Sequence, residues 1–245
     1  MNRTSITGLA CLLAVALTAC AGGGEPPAPS GSPASAPLEA LKEPANSMSV
    51  SPPLSPAPVS AEALAAYRAL LAGEPGALDR PPEGLELHQV ILPPAEELEY
   101  VLLDLDGDGG AELVVQMVEQ PQQFNAVFHY GDGELSCWQY DIVEMSCRDY
   151  PLEDGAMVRQ YDTGTGPNRY SNLYTVFRYL PDGETEECAS LAVHQDTQED
   201  GTEVFTYLVD DAEVDQDTFA AEFEELVGSR LLSLEDWIPA TERPG

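Results

Sequence analysis

Apolar residues recur along the chain at two spacings. Leu64, Tyr67 and Leu71 fall at i, i+3 and i+7, the stripe of a helix that Ser60 can cap and Gly73 and Pro75 stop. From residue 100 the spacing shortens towards two, the period of a strand. The segments 100–103, 113–115, 124–130, 134–140, 144–150, 157–161, 173–179, 188–194 and 203–209 are short and mostly rich in β-branched and aromatic residues. Turn residues separate them, among them Gly131-Asp132-Gly133, Asp154-Gly155, Pro181-Asp182-Gly183 and Asp200-Gly201. In 173–179, alternation puts Tyr174, Val176 and Arg178 on one face and Thr175, Phe177 and Tyr179 on the other. Segment 88–92 reads as a further short strand before Pro93 and Pro94, and 163–168 as a loop. Asp215 is placed to cap a last helix, 216–228, that buries Phe219, Phe223 and Leu226, with Leu231, Leu232 and Trp237 completing the core. The expected fold class is α+β: a curved antiparallel β-meander with an N-terminal and a C-terminal helix packed on it.

The first two strands flank a loop with its own chemistry. Asp104, Asp106 and Asp108 stand at positions one, three and five, Gly109 and Gly110 at six and seven, and Glu112 at nine. A hard cation such as Ca²⁺ takes six to eight oxygen ligands, largely carboxylates and backbone carbonyls. The three aspartates, Glu112 and the Gly110 carbonyl supply that donor type, while Gly109 permits the sharp turn. An EF-hand needs a bidentate glutamate at position twelve, where this chain has Val115, and the flanks read as strands rather than helices. The motif resembles the D-x-D-x-D-G-x-x-[DE] calcium hairpin of the FG-GAP and VCBS repeats. The resemblance covers about seventeen residues, rests on Asp104, Asp106, Asp108, Gly109, Gly110 and Glu112, and implies a structural Ca²⁺ held between two strands. It occurs once, which argues against a propeller.

The amino end has a different pattern. Arg3 precedes a short apolar run, 6–16, too short to span a bilayer, followed by Leu17-Thr18-Ala19-Cys20. These residues resemble the bacterial lipobox. The resemblance implies that 1–19 is a lipoprotein signal peptide, that cleavage precedes Cys20, and that acylation of Cys20 holds the chain in membrane lipid at the extracytoplasmic face of the cell membrane. Residues 20–59 carry ten prolines among Ala, Ser and Gly with few large apolar residues, the composition of a disordered tether. That leaves 60–245 as a single α+β domain.

Composition narrows the function classes. The formal charge of −33 repels nucleic acid and anionic lipid headgroups. With Cys11 in the signal segment and Cys20 acylated, Cys137, Cys147 and Cys188 remain, with no C-x-x-C for zinc or redox chemistry. His88, His129 and His194 stand without ligand spacing, and G-x-S-x-G, H-E-x-x-H and P-loop motifs are absent, so no catalytic residue is assigned. Trp138, Tyr140, Tyr161, Tyr170, Tyr174 and Tyr179 read as cross-strand pairs or as a face for a glycan or peptide. Taken together, the lipobox, spacer, single acidic hairpin and aromatic meander resemble an uncharacterised group of lipoproteins from clostridia-like bacteria, which implies localisation and lends no activity. The expected function is a monomeric, membrane-anchored binding or structural module with Ca²⁺ in its first hairpin and an unidentified protein or glycan partner. A Ca²⁺-dependent extracytoplasmic hydrolase of glycans or peptides is the alternative; a solute-capture protein is disfavoured because two α/β lobes are lacking.

Overall fold

Ser60 accepts a hydrogen bond from the Ala63 N–H at 3.0 Å and so starts helix α1, Ala61–Leu71. In the computed structural model, residues 58–118, 124–142, 147–166, 168–242 and 244 are described. The expected signal peptide, Cys20 and nearly all of the expected tether lie outside the described residues. Helix α1 buries Ala63, Tyr67, Leu70 and Leu71, while Leu64 is half-exposed, so the buried stripe is turned slightly from the one the spacing suggests. Gly73, at φ 68°, ends the helix in a conformation that suits glycine. The segment expected as a strand at 88–92 forms instead a single 3-10 turn, Leu87–Gln89, and Ala95–Glu97 forms another. Its apolar residues have no neighbouring strand to pair with.

The chain then forms two antiparallel sheets. The first contains β1 (Leu98–Leu103), β2 (Glu112–Met117), β3 (Phe124–Gly131) and β4 (Glu134–Ile142) in sequence order. The second contains β5 (Cys147–Pro151), β6 (Met157–Gly166), β7 (Arg169–Tyr179), β8 (Thr185–Thr197), β9 (Glu203–Val209) and β10 (Ala212–Val214), again in order. The two-residue strand β11 (Ile238–Pro239) returns to the outer edge of β1. The expected α+β meander with a helix from each end is therefore present, with its strands in two sheets. The segment expected as a loop at 163–168 belongs largely to a hairpin, because Thr163 pairs with Ser171, Gly164 with Tyr170 and Gly166 with Arg169. Asp215 caps α2, Gln216–Leu226, through a 2.8 Å bond from the Thr218 N–H, and a 3-10 turn, Gly228–Arg230, replaces the last turn the sequence suggests.

Successive side chains point to opposite faces of a strand, and both faces of the first sheet carry apolar residues. One face carries Leu98, Tyr100, Leu113, Val115, Ala126 and Phe128 against α1. The other carries Val101, Leu103, Val114 and Val127, which pack with Met157, Phe177 and Tyr179 of the second sheet. Leu105, inside the acidic loop, is 1% exposed and belongs to this inter-sheet core. The opposite face of the second sheet meets α2, where Tyr174 lies edge-on to Phe223 and Tyr207 lies beside Phe219. Leu232 and Trp237 join the inter-sheet core as partly buried residues, but Leu231 is 42% exposed, although its backbone bridges the buried Leu152.

The turn between β5 and β6 is fastened to both the loop and the helix. Asp154 receives the guanidinium groups of Arg178 and Arg230, each at 2.6 Å. Gly155, at φ 79°, lies so close to the loop that a Cβ there would collide with the carbonyl oxygen of Asp104.

Candidate metal centre

Strands β1 and β2 pair in register from Leu98–Met117 to Leu103–Glu112, and the loop between them is what remains after that pairing. Gly107 and Gly109 both have positive φ, 76° and 88°, so the chain reverses twice within a few residues. These reversals turn backbone N–H groups inward. Asp104 accepts from Gly107 at 2.8 Å and from Gly109 at 3.1 Å, Asp106 Oδ1 from Asp108 at 3.0 Å, and Asp108 Oδ1 from Gly110 at 2.5 Å. Carboxylate oxygens of Asp104, Asp106 and Asp108 lie within 4.8 Å of one another. The predicted Gly110 contributes its N–H to this arrangement.

Glu112 begins β2 and is 2% exposed. Its Oε2 accepts the Leu105 N–H at 2.8 Å, and its Oε1 meets His129 Nδ1 at 3.0 Å. Together with Asp106 these two residues make a second group of ligand atoms within 4.8 Å, so Asp106 belongs to both. Asp106 Oδ2 is buried and has no hydrogen-bond partner. The two acidic groups can hold a metal ion.

The electrostatics of the cluster show a shortage of positive charge. Burial raises the Asp106 carboxyl above its ordinary value, the Asp108 N–H opposes this, and the neighbouring Asp108 and Asp104 charges add to it. Burial likewise raises Glu112, partly offset by His129 and the Leu105 N–H. At His129 burial disfavours the imidazolium, but the Glu112 hydrogen bond and the Glu112, Asp106 and Asp108 charges outweigh it and raise the group. Helix α1 closes the far side: Tyr67, 1% exposed, donates its hydroxyl to the Ala111 carbonyl at 2.8 Å.

His129 is the residue that sequence spacing does not reveal. It stands one step beyond the Leu113–Phe128 pair, which places it across from Glu112. Trp138 stacks on its ring with centroids 4.3 Å apart and planes 11° apart, and Tyr179 backs Trp138 at 5.1 Å. Trp138 is the extra residue of a bulge, since Val127 pairs with Gln139 and Phe128 with Cys137. A cavity of about 570 Å³ lies beside this stack, lined by Arg80, His129, Asp132, Ser136 and Trp138 among others.

The aromatic residues do not form one binding face. Tyr174 and Tyr179 are both 3% exposed, on opposite faces of β7, and Tyr140 of the first sheet is held by Phe124 and by bonds with Ile91 N–H and C=O. Cross-strand and interlayer packing occupies Trp138, Tyr140, Tyr174 and Tyr179, while Tyr161 is 38% exposed. Ser171 and His194 form a hydroxyl–imidazole contact at 2.7 Å, with Ser171 1% exposed. Cys137 is a buried thiol, pushed up to about 12 by its burial, and Cys188 is an exposed one. No helix among the described residues is long and apolar enough to cross a membrane. No family model, curated protein or solved structure matches the chain.

Proposed function

We propose that the chain is a membrane-anchored extracytoplasmic lipoprotein whose domain holds a structural Ca²⁺ in the Asp104–Glu112 loop and serves as a binding or structural module. The observation that carries the calcium reading is Asp106 Oδ2, a buried carboxylate oxygen without a partner beside Asp104 and Asp108. An unpaired buried acceptor is costly, and a cation is the partner its neighbours favour. Each aspartate spends its lone pairs on loop N–H groups only in part, since a carboxylate has about four acceptor sites. An all-oxygen set with no thiolate suits Ca²⁺, and Mg²⁺ fits less well because it demands near-octahedral geometry and retains waters.

The role fits the loop's place. Leu105 enters the inter-sheet core, Glu112 opens β2, and Ala111 is tied to α1. An ion that fixes this loop stabilises all three contacts. At ten times its Kd it adds about 1.4 kcal/mol. The anchor rests on Leu17-Thr18-Ala19-Cys20 and the Pro-rich stretch behind it.

The test is a calorimetric Ca²⁺ titration of the chain from residue 20 onward carrying Cys20→Ser, with melts in calcium and in chelator. One site, a Tm higher by several degrees in calcium, and loss of both in Asp106→Asn are expected. No heat and no shift up to millimolar calcium would remove the calcium reading. Separately, the full chain expressed in bacteria should partition into detergent and incorporate a labelled fatty acid, and Cys20→Ser should do neither.

A further inference from the structure

We infer that Asp106, Glu112 and His129 form a second cation site, one that takes Zn²⁺ or a similar borderline divalent ion rather than Ca²⁺. It shares Asp106 and Glu112 with the loop proposed for calcium and does not require that the loop bind calcium. Three observations carry the inference. One ligand atom from each residue lies within a 4.8 Å group, and one of the three is an imidazole nitrogen. Imidazole with carboxylate suits Zn²⁺, Co²⁺, Ni²⁺ or Cu²⁺, whereas Ca²⁺ and Mg²⁺ select oxygen. Second, the site has an acceptor to spare, because the buried Asp106 Oδ2 has no hydrogen-bond partner.

Third, the other two side chains are already held. Glu112, 2% exposed, is fixed through Oε2 by the Leu105 N–H, which leaves Oε1 directed at His129 Nδ1. His129 has 15% of its side chain exposed and its plane is set by the Trp138 stack. Such surrounding contacts orient ligands and raise metal affinity. Three protein ligands leave a coordination position for water or for an anionic or neutral donor from outside, the pattern of open zinc sites. The sheet register produces the arrangement: β2 and β3 set 112 and 129 side by side, and the acidic loop brings Asp106 over them.

The experiment uses the chain from residue 20 onward with Cys20→Ser, stripped of metal. Zn²⁺ alone and Ca²⁺ alone are titrated into wild type, His129→Gln and Asp108→Asn, with melts to confirm that each variant folds. X-ray absorption is recorded on wild type loaded with one equivalent of Zn²⁺. His129→Gln should weaken Zn²⁺ by at least about tenfold and leave Ca²⁺ affinity within about twofold; Asp108→Asn should do the reverse. Recorded also on a His88→Gln, His194→Gln background, where His129 is the one remaining imidazole, the absorption spectrum should show one imidazole and oxygen neighbours, which decides the matter if His129→Gln does not fold. Zinc affinity unchanged in His129→Gln, or zinc-loaded wild type without imidazole, would overturn the second site and leave the calcium proposal standing. Zinc bound through His129 by a protein indifferent to calcium would remove the calcium proposal and leave this one.

Discussion

Asp154 has two cationic partners, Arg178 and Arg230. Burial works against its charge, but the Arg230 hydrogen bond and the Arg230 and Arg178 charges outweigh it and hold the carboxyl below its ordinary value. A depressed folded-state pKa contributes stability that is present above the unfolded value and lost as pH falls through the folded one. The window therefore opens near pH 4, the ordinary aspartate value, and extends downward. With 44% of the side chain exposed, solvent screening limits the two pairs to about 1 kcal/mol in total. Urea melts of Asp154→Asn against wild type should show that difference at pH 7 and a smaller one at about pH 2.5. A difference independent of pH would mean that the ion pairs contribute nothing. Asp149 behaves in the opposite sense: burial raises it despite a 2.6 Å contact with Arg159, because its side chain is fully enclosed while half of the arginine remains in water.

Among the elements, the acidic hairpin is the one that joins the others. Leu105 is an apolar residue inside a loop of carboxylates, and it reaches between the sheets to Met157 and Phe177. Leu105→Ala should cost about 2–5 kcal/mol, the range for truncating a buried leucine. Chemical denaturation should show a lower midpoint with an unchanged m-value, and the variant should bind calcium more weakly than wild type; a cost below about 1 kcal/mol would mean that the loop does not support the interface. Much of this element layout was legible beforehand. Ser60 and Asp215 announce helices by capping, and Asp-Gly pairs announce turns, because both signals are local. The acidic loop was legible because its ligand types lie within nine residues. What was not legible depends on partners remote in sequence. Strand β11 exists only because β1 offers an edge. The run at 88–92 looks like a strand but has no such edge. His129 acquires its place from a register between β2 and β3 that no local spacing encodes.

At the scale of the whole molecule, like charge adds to the chain entropy that opposes folding. A formal charge of −33 on a 245-residue chain disfavours compaction by self-repulsion. Raising NaCl from about 0.05 M to about 0.5 M shortens the screening length from over 10 Å to about 4 Å, so the metal-free protein should melt at a higher temperature in the stronger salt. The gain should shrink once calcium has neutralised part of the loop. Scanning calorimetry in chelator and in calcium at both salt concentrations measures this, and an equal gain in both would detach the loop from the balance of charge. The contact between Gly155 and the Asp104 carbonyl has a consequence of another kind. Positive φ alone would admit asparagine or aspartate at 155, but the approach of the carbonyl leaves no room for any Cβ. A lineage that keeps the loop thus has one residue to choose at 155, while a lineage that has lost it is released from that choice. The two segments, some fifty residues apart, should therefore be lost or kept together wherever homologous sequences are compared.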